Sequence, residues 1–291
     1  MIPGPFNYHR PSSVRDAVAL LAALGDDARP LAGGHSLIPM MKLRMAAPEH
    51  LVDLGGIAEL KTIAEDLGTV AIGAGVTIAA LLRSDLVAAK LPVLHETALL
   101  IADPQVRYRG TLGGNVANGD PGNDMPAMMQ ALNAVYVVAG PEGERRVNAR
   151  RFYHGAYDTA LAPGEIVSEM RVPLQPYGSG AAYEKLKRKI GDYATAAAAV
   201  TVTMAGGRVA DCAIALTNVD ERPLFAEAAG RAAIGSDLDA AALKRVAEAA
   251  MAITNPASDG RGPAEYRREM AGIMVTRALL KAASRAKGNR A

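Results

Sequence analysis

One cysteine, Cys212, is the chain's whole supply of thiol. That excludes an internal disulfide and a cysteine-built zinc site. It also excludes an iron–sulfur cluster, which takes about four cysteine ligands. Tryptophan is absent and phenylalanine occurs three times, against nine tyrosines. A planar ligand would therefore find its aromatic cover among the tyrosines. Neither charge sign is in excess: 32 Lys and Arg against 30 Asp and Glu leave +2. That balance implies neither a nucleic-acid surface nor a funnel for acidic substrates. No run reaches the roughly 18 apolar residues of a membrane span, and the alanine-rich 194–202 stretch is too short. Met1-Ile2-Pro3-Gly4-Pro5 lacks the charged start and apolar stretch of a signal peptide. The reading is a soluble, cytoplasmic protein.

What is present suffices for two or three domains, since half of the 291 residues are apolar. Ser13 and Asp16 form a capping pattern, and Val14, Val18, Leu21 and Leu24 recur at helical spacing up to Gly25. Segments 28–32 and 49–54 read as strands, the first running into Gly33-Gly34. A first unit thus spans 1–55. In the second, 56–177, segment 69–76 reads as a strand, and Thr77 caps a helix through Leu82. Segment 92–101 reads as a helix stopped by Asp103-Pro104. A long loop rich in Gly, Asn, Asp and Pro follows over 110–126, of the kind that usually carries function. Segment 125–132 returns to helix, and 134–139, 145–149 and 165–172 read as strands. The third unit, 178–291, opens with an extended 183–189 and a hairpin of 197–205 and 208–217. Helices near 223–234, 239–253 and 264–286 follow, giving a small α+β domain. Arg277, Lys281, Arg285, Lys287 and Arg290 follow the last acid, Glu269, and read as a solvated or protein-docking face.

Two glycine pairs carry the chemistry. Ala32-Gly33-Gly34-His35-Ser36 follows a strand, and Thr111-Leu112-Gly113-Gly114-Asn115 lies in the long loop. Glycine tolerates positive φ and close backbone approach. Consecutive amides in such turns bind phosphate oxygens, and Ser36, Thr111 and Asn115 add side-chain donors. Two such loops could clamp the pyrophosphate of a dinucleotide; the plainer alternative is a pair of tight turns. Gly73-Ala74-Gly75 has no third glycine three residues on, so the Rossmann fingerprint fails, and no P-loop exists. Asp120 and Asp124 offer carboxylates for a ribose hydroxyl. Asp124 is equally placed to cap the helix near Met125, and the two acids alone make a weak metal site. His35 has no nucleophile and acid around it, which favours backbone contact or packing. Met40 and Met41 read as core filler, and Cys212 as a buried, inert thiol.

Phe6-Asn7-Tyr8-His9-Arg10-Pro11, AGGHS at 32–36, TLGGN at 111–115 and YEKLKRKIGDYATAAAAV at 183–200 together resemble the FAD-binding medium subunits of the xanthine oxidase family of molybdenum hydroxylases, over essentially the whole chain. AGGHSLIPMMKLR at 32–44, NGDPGNDMPAMMQ at 118–130 and KLKRKIGDYATAAAA at 185–199 are most similar to the carbon monoxide-oxidising branch. Asp120-Pro121 and Tyr108 stand where many relatives carry Ser-Pro and Asn. The resemblance implies an α+β chain: a two-subdomain FAD-binding fold of the vanillyl-alcohol-oxidase (PCMH) type, then a C-terminal α+β domain. It implies non-covalent FAD, with pyrophosphate loops at Ala32–Ser36 and Thr111–Asn115 and a ribose or adenosine-side contact at Asp124. It further implies a backbone contact near the flavin at Ile101, and flavin-facing positions at Lys185 and Tyr193. Lys185 could stabilise reduced flavin, or be a solvated strand lysine beside Lys187, Arg188 and Lys189; Tyr193 could cover a ring face.

The resemblance implies a molybdenum cofactor and [2Fe-2S] clusters on partner chains, and the lone cysteine agrees, since it cannot hold a cluster here. The implied assembly is a dimer of heterotrimers with a large molybdenum subunit and a small iron–sulfur subunit. It passes electrons through FAD to a quinone-type acceptor, and a seat on the inner membrane face is compatible with it. This chain then needs no acid or base for substrate-bond cleavage. Two other readings stand beside it: a flavin subunit serving an N-heterocycle or aldehyde hydroxylase, and a non-enzymatic nucleotide-binding or assembly module.

Overall fold

The computed structural model describes residues 2–288; Arg290 of the basic tail lies outside them. The first unit runs β1 (Asn7–His9), α1 (Val14–Leu24), β2 (Ala28–Leu31), α2 (Leu37–Lys42) and β3 (His50–Asp53). Its cap is the expected one: Ser13 Oγ accepts from the Asp16 amide at 3.1 Å. β1 and β2 flank β3 in parallel. The sequence did not reveal β1, because three residues between prolines show no period.

The second unit comprises β4 (Ile63–Asp66), β5 (Thr69–Gly73), α3 (Ile78–Leu82), α4 (Asp85–Lys90), α5 (Pro92–Leu99), α6 (Pro104–Arg109), α7 (Leu112–Ala117), α8 (Asp124–Ala131), β6 (Val135–Gly140), β7 (Gly143–Asn148), β8 (Tyr153–Gly155), β9 (Asp158–Thr159) and β10 (Ile166–Pro173). Its antiparallel sheet has the order β4-β5-β10-β6-β7. Two expectations change here. Asp103-Pro104 starts a helix as well as stopping one. Asp103 Oδ1 accepts from the Val106 amide at 2.9 Å, and Pro104 takes the first helical position, where a missing N–H costs nothing. The long 110–126 loop is likewise broken, because Thr111 caps α7 and puts both glycines in its first turn.

The C-terminal unit holds β11 (Ser179–Leu186), β12 (Ala196–Ala205), β13 (Arg208–Thr217) and β14 (Leu224–Phe225), paired in that order. It continues through α9 (Glu227–Ala233), α10 (Ala240–Met251) and α11 (Ala264–Gly288). β11 ends at Leu186, short of the extended stretch read to Lys189. The alanines of β12 now have a cause. Ala196, Ala198, Val200 and Val202 face the α11 side, while Ala197 and Ala199 join the core of the second unit. A strand covered on both faces at close range admits only small side chains. Gly180 on β11 shows how close: an added Cβ would lie 2.1 Å from the Ala282 carbonyl oxygen of α11. The basic face of α11 is partly tied down, because Lys281 pairs with Glu184 at 2.8 Å and Arg285 with Glu96 at 2.9 Å. No helix among the described residues is long and apolar enough to cross a membrane.

Candidate flavin site

The first glycine pair leaves β2 directly. Gly34 takes a left-handed φ of 77° and turns the chain into α2, a conformation that costs glycine nothing. Gly33 serves a different need: an added Cβ would sit 2.4 Å from the Arg109 carbonyl oxygen and 2.7 Å from the Gly110 Cα. The first glycine segment therefore packs on the backbone of Arg109-Gly110, immediately before the second. Among the described residues, the amides of Gly34, His35, Ser36 and Leu37 donate to nothing within the chain. His35 and Ser36 are exposed, and the Ser36 hydroxyl makes no cap bond. His35 Nδ1 lies 3.2 Å from the Gly33 carbonyl oxygen.

The second pair is not a second nest of free amides. Leu112 and Gly113 donate to the carbonyls of Val76 and Ala74 at 2.8 and 2.9 Å, and Asn115 donates to that of Thr111 at 3.0 Å. The Gly114 amide donates to Thr111 Oγ1 at 3.0 Å. Gly113 is glycine for packing, since a Cβ there would be 2.4 Å from that of Ala74. Gly114 is exposed, and a Cβ there would lie 3.9 Å from Ala32 Cβ. It presents a bare backbone beside the first loop. Asn115 braces the following turn: its Oδ1 accepts from the Met125 amide at 3.3 Å, and its carbonyl from Asn123 Nδ2 at 2.8 Å.

Asp124 neither caps α8 nor reaches solvent. It is the first residue of the helix, 4% exposed. Its carboxylate accepts from Lys185 Nζ at 2.8 Å and from the Tyr183 hydroxyl at 2.7 Å. The Lys185 side chain is 2% exposed, which removes the reading of it as a solvated strand lysine. Burial pushes the Asp124 carboxyl up against the opposing pull of Lys185, and raises the Tyr183 hydroxyl well above its ordinary range. Lys185 Nζ also donates to the Leu100 carbonyl at 3.3 Å. That joins it to the 99–102 segment, whose Ile101 carbonyl accepts from Arg107 at 2.8 Å. Arg107 left no signal in the sequence. Tyr183 did: it stands two residues before Lys185 on β11, hence on the same face.

Tyr193 is 43% exposed beside Gly122, whose added Cβ would come within 2.8 Å of the ring. Its hydroxyl donates to Asp120 Oδ2 at 3.4 Å, as does that of Tyr157 at 3.3 Å. Asp120 thus gathers two tyrosines from different segments, a role no local pattern announces. Burial and this carboxylate hold the Tyr193 hydroxyl above its usual range.

The contact between the first two units offers open amides at 34–37 and the bare backbone of Gly114, and the third unit offers the exposed ring of Tyr193 beside Gly122. These suit phosphate oxygens, close approach and a ring face in turn. The donor set fits an elongated dinucleotide such as FAD. The FAD binding domain in molybdopterin dehydrogenase matches residues 4–175, and the CO dehydrogenase flavoprotein C-terminal domain matches 181–282. The chain belongs to this family of FAD-binding molybdopterin dehydrogenase flavoproteins, and its α+β fold is the one the resemblance implies. Among its relatives, the carbon monoxide dehydrogenase medium chain of Afipia carboxidovorans is 62% identical, covering 99% of this chain and 100% of that one. The medium chain from Hydrogenophaga pseudoflava is 52% identical over 96% and 97%. A crystal structure of Cu,Mo-CO dehydrogenase in its cyanide-inactivated form superposes with a TM-score of 0.96 at 62% identity, covering 98% of this chain and 100% of that chain.

Proposed function

We propose that this chain is the FAD-binding electron-transfer subunit of an aerobic carbon monoxide dehydrogenase. In this reading it works with a large molybdenum subunit and a small [2Fe-2S] subunit in a dimer of heterotrimers, and a quinone-type acceptor takes the electrons. The observation that carries it is the seam itself: Gly33 packed on the Arg109-Gly110 backbone, with unengaged amides at 34–37 and an exposed Gly114 beside Ala32. The high identity to carbon monoxide dehydrogenase medium chains supports the choice of branch. When bound, FAD supplies the chemistry, accepting electrons singly and handing them on in pairs. The chain's own part is to hold the pyrophosphate at Gly34–Leu37 and Gly114 and to cover a ring face with Tyr193. With one cysteine it cannot hold an iron–sulfur cluster itself.

The purified chain should release FAD, not FMN, on heating, as chromatography of the supernatant will show; a covalently retained flavin contradicts the reading. Carbon monoxide should bleach the flavin band, at about 450 nm in oxidised flavins generally, only when the large and small subunits are added. Bleaching by carbon monoxide with this chain alone would overturn the relay assignment.

A further inference from the structure

Asp120 accepts from three donors at once. Its Oδ1 takes the Gly122 amide at 2.9 Å, and its Oδ2 takes the hydroxyls of Tyr157 and Tyr193 at 3.3 and 3.4 Å. The donors come from separate stretches of chain: the turn before α8, the β8–β9 hairpin and the segment between β11 and β12. An ionised carboxylate only accepts, so it can serve all three together.

Two further observations show that the meeting is built. Tyr157 holds a left-handed φ of 58°, a conformation that non-glycine residues avoid. The neighbouring turn is cut to fit it: the Tyr157 amide donates to the Gly119 carbonyl at 2.9 Å, and a Cβ on Gly119 would lie 3.0 Å from the Tyr157 Cα. Tyr193 is gripped by more than its hydroxyl. The Arg261 guanidinium lies over its ring, 5.8 Å from the centroid, within reach of a cation–π contact. Arg261 is itself held by Asp259 at 3.1 Å. A Cβ on Gly122 would meet the Tyr193 ring at 2.8 Å, so the turn also lies against its edge.

We infer that Asp120 is a positioning residue: it sets the tilt of the Tyr193 ring through the hydroxyl, with Tyr157 braced on the same carboxylate oxygen. The inference rests on the reading of Tyr193 as the cover of a flavin ring face, and it names the residue that aims that cover. Aromatic rings stack well only over a limited range of offset and tilt. An untethered tyrosine side chain would spread over several rotamers.

The test is a double-mutant cycle in the complex assembled with the large and small subunits, pairing Asp120→Ala with Tyr193→Phe. Tyr193→Phe keeps the ring and removes only the hydroxyl. Each single change should weaken FAD retention roughly threefold to fivefold and shift the visible circular dichroism of the bound flavin in the same direction. The double variant should be no worse than Asp120→Ala and should share its spectrum, because both changes cut one tether. Losses that multiply, to about tenfold or more, would show that Asp120 acts through its turn alone and would overturn the inference. Singles with unaltered retention and spectrum would do the same. Asp120→Ser keeps a short oxygen for the Gly122 amide but does not reach both hydroxyls, so it should behave as Asp120→Ala does even if the alanine variant fails to assemble. A flavin-free measurement separates this inference from the reading beneath it. In the full chain carrying ring-labelled tyrosine, the NMR signals of Tyr157 and Tyr193, assigned from their phenylalanine variants, should both shift in Asp120→Ser. If the complex binds no FAD, the flavin reading fails, and these signals still decide the tether; signals that stay in place refute it.

Discussion

Glycines with one name do different work in this seam, and substitution will tell them apart. A Cβ on Gly33 meets fixed backbone at 2.4 Å, whereas one on Gly114 meets only the Thr111 hydroxyl closely, at 2.9 Å. Gly33→Val should therefore lower the melting temperature and lose flavin together. Gly114→Val should stay folded, with a stability loss of about 1 kcal/mol from the strained cap, yet bind flavin poorly. Thermal melts and flavin occupancy on the same preparations check both; normal occupancy in folded Gly114→Val protein would reduce this segment to a turn. Cys212 belongs to the same scale. Burial pushes its thiol up to about 12, and the thiol form is the unreactive one. At pH 8 it should resist a thiol reagent in the native chain and react fully once denatured.

Among the elements, the short capped helix α7 decides how the second glycine pair is used. Thr111 accepts the Gly114 amide and also bridges Thr77 at the entry to α3, so one residue aligns two helix starts. Thr111→Ala should cost about 1 kcal/mol, the usual worth of such a cap, measured by urea denaturation. Flavin affinity should fall with it, because Gly114 would lose its fixed orientation. The sequence already showed the Thr-Leu-Gly-Gly-Asn string, yet glycine and asparagine are poor helix formers, which is why the segment read as loop. Packing against Ala74 and Val76 overrides that preference. Caps with strong local chemistry were legible in advance, as at Ser13 and Thr77.

Over the whole molecule, buried acids set the response to alkali. Cys212, Tyr136, Tyr153 and Tyr183 all keep their protons in the native state beyond their ordinary ranges, chiefly through burial. The unfolded chain releases these protons above about pH 9 to 10, while the native chain retains them. Unfolding then sheds protons, so stability falls as pH rises. It should be level up to about pH 9 and then decline, each such group adding up to about 1.4 kcal/mol per pH unit. Melting temperature against pH checks this; a flat profile to pH 11 would contradict it. The seam has a different origin at this scale. It exists because Gly33 of the first segment meets Gly110 of the second, while Gly122 meets Tyr193 of the C-terminal segment.

The sequence by itself determined the capped helices, the two glycine strings and the absence of any cluster-binding cysteine set. These are local matters: period, cap chemistry and composition act within a few residues of chain. Tertiary structure alone decided which glycine amides stay free, that Asp124 pairs with Lys185 in the interior, and that Asp120 collects Tyr157 and Tyr193. The contacts behind those outcomes join residues 37 to 77 positions apart. No local pattern encodes a partner at that distance; it is chosen when burial demands that each polar group find a mate.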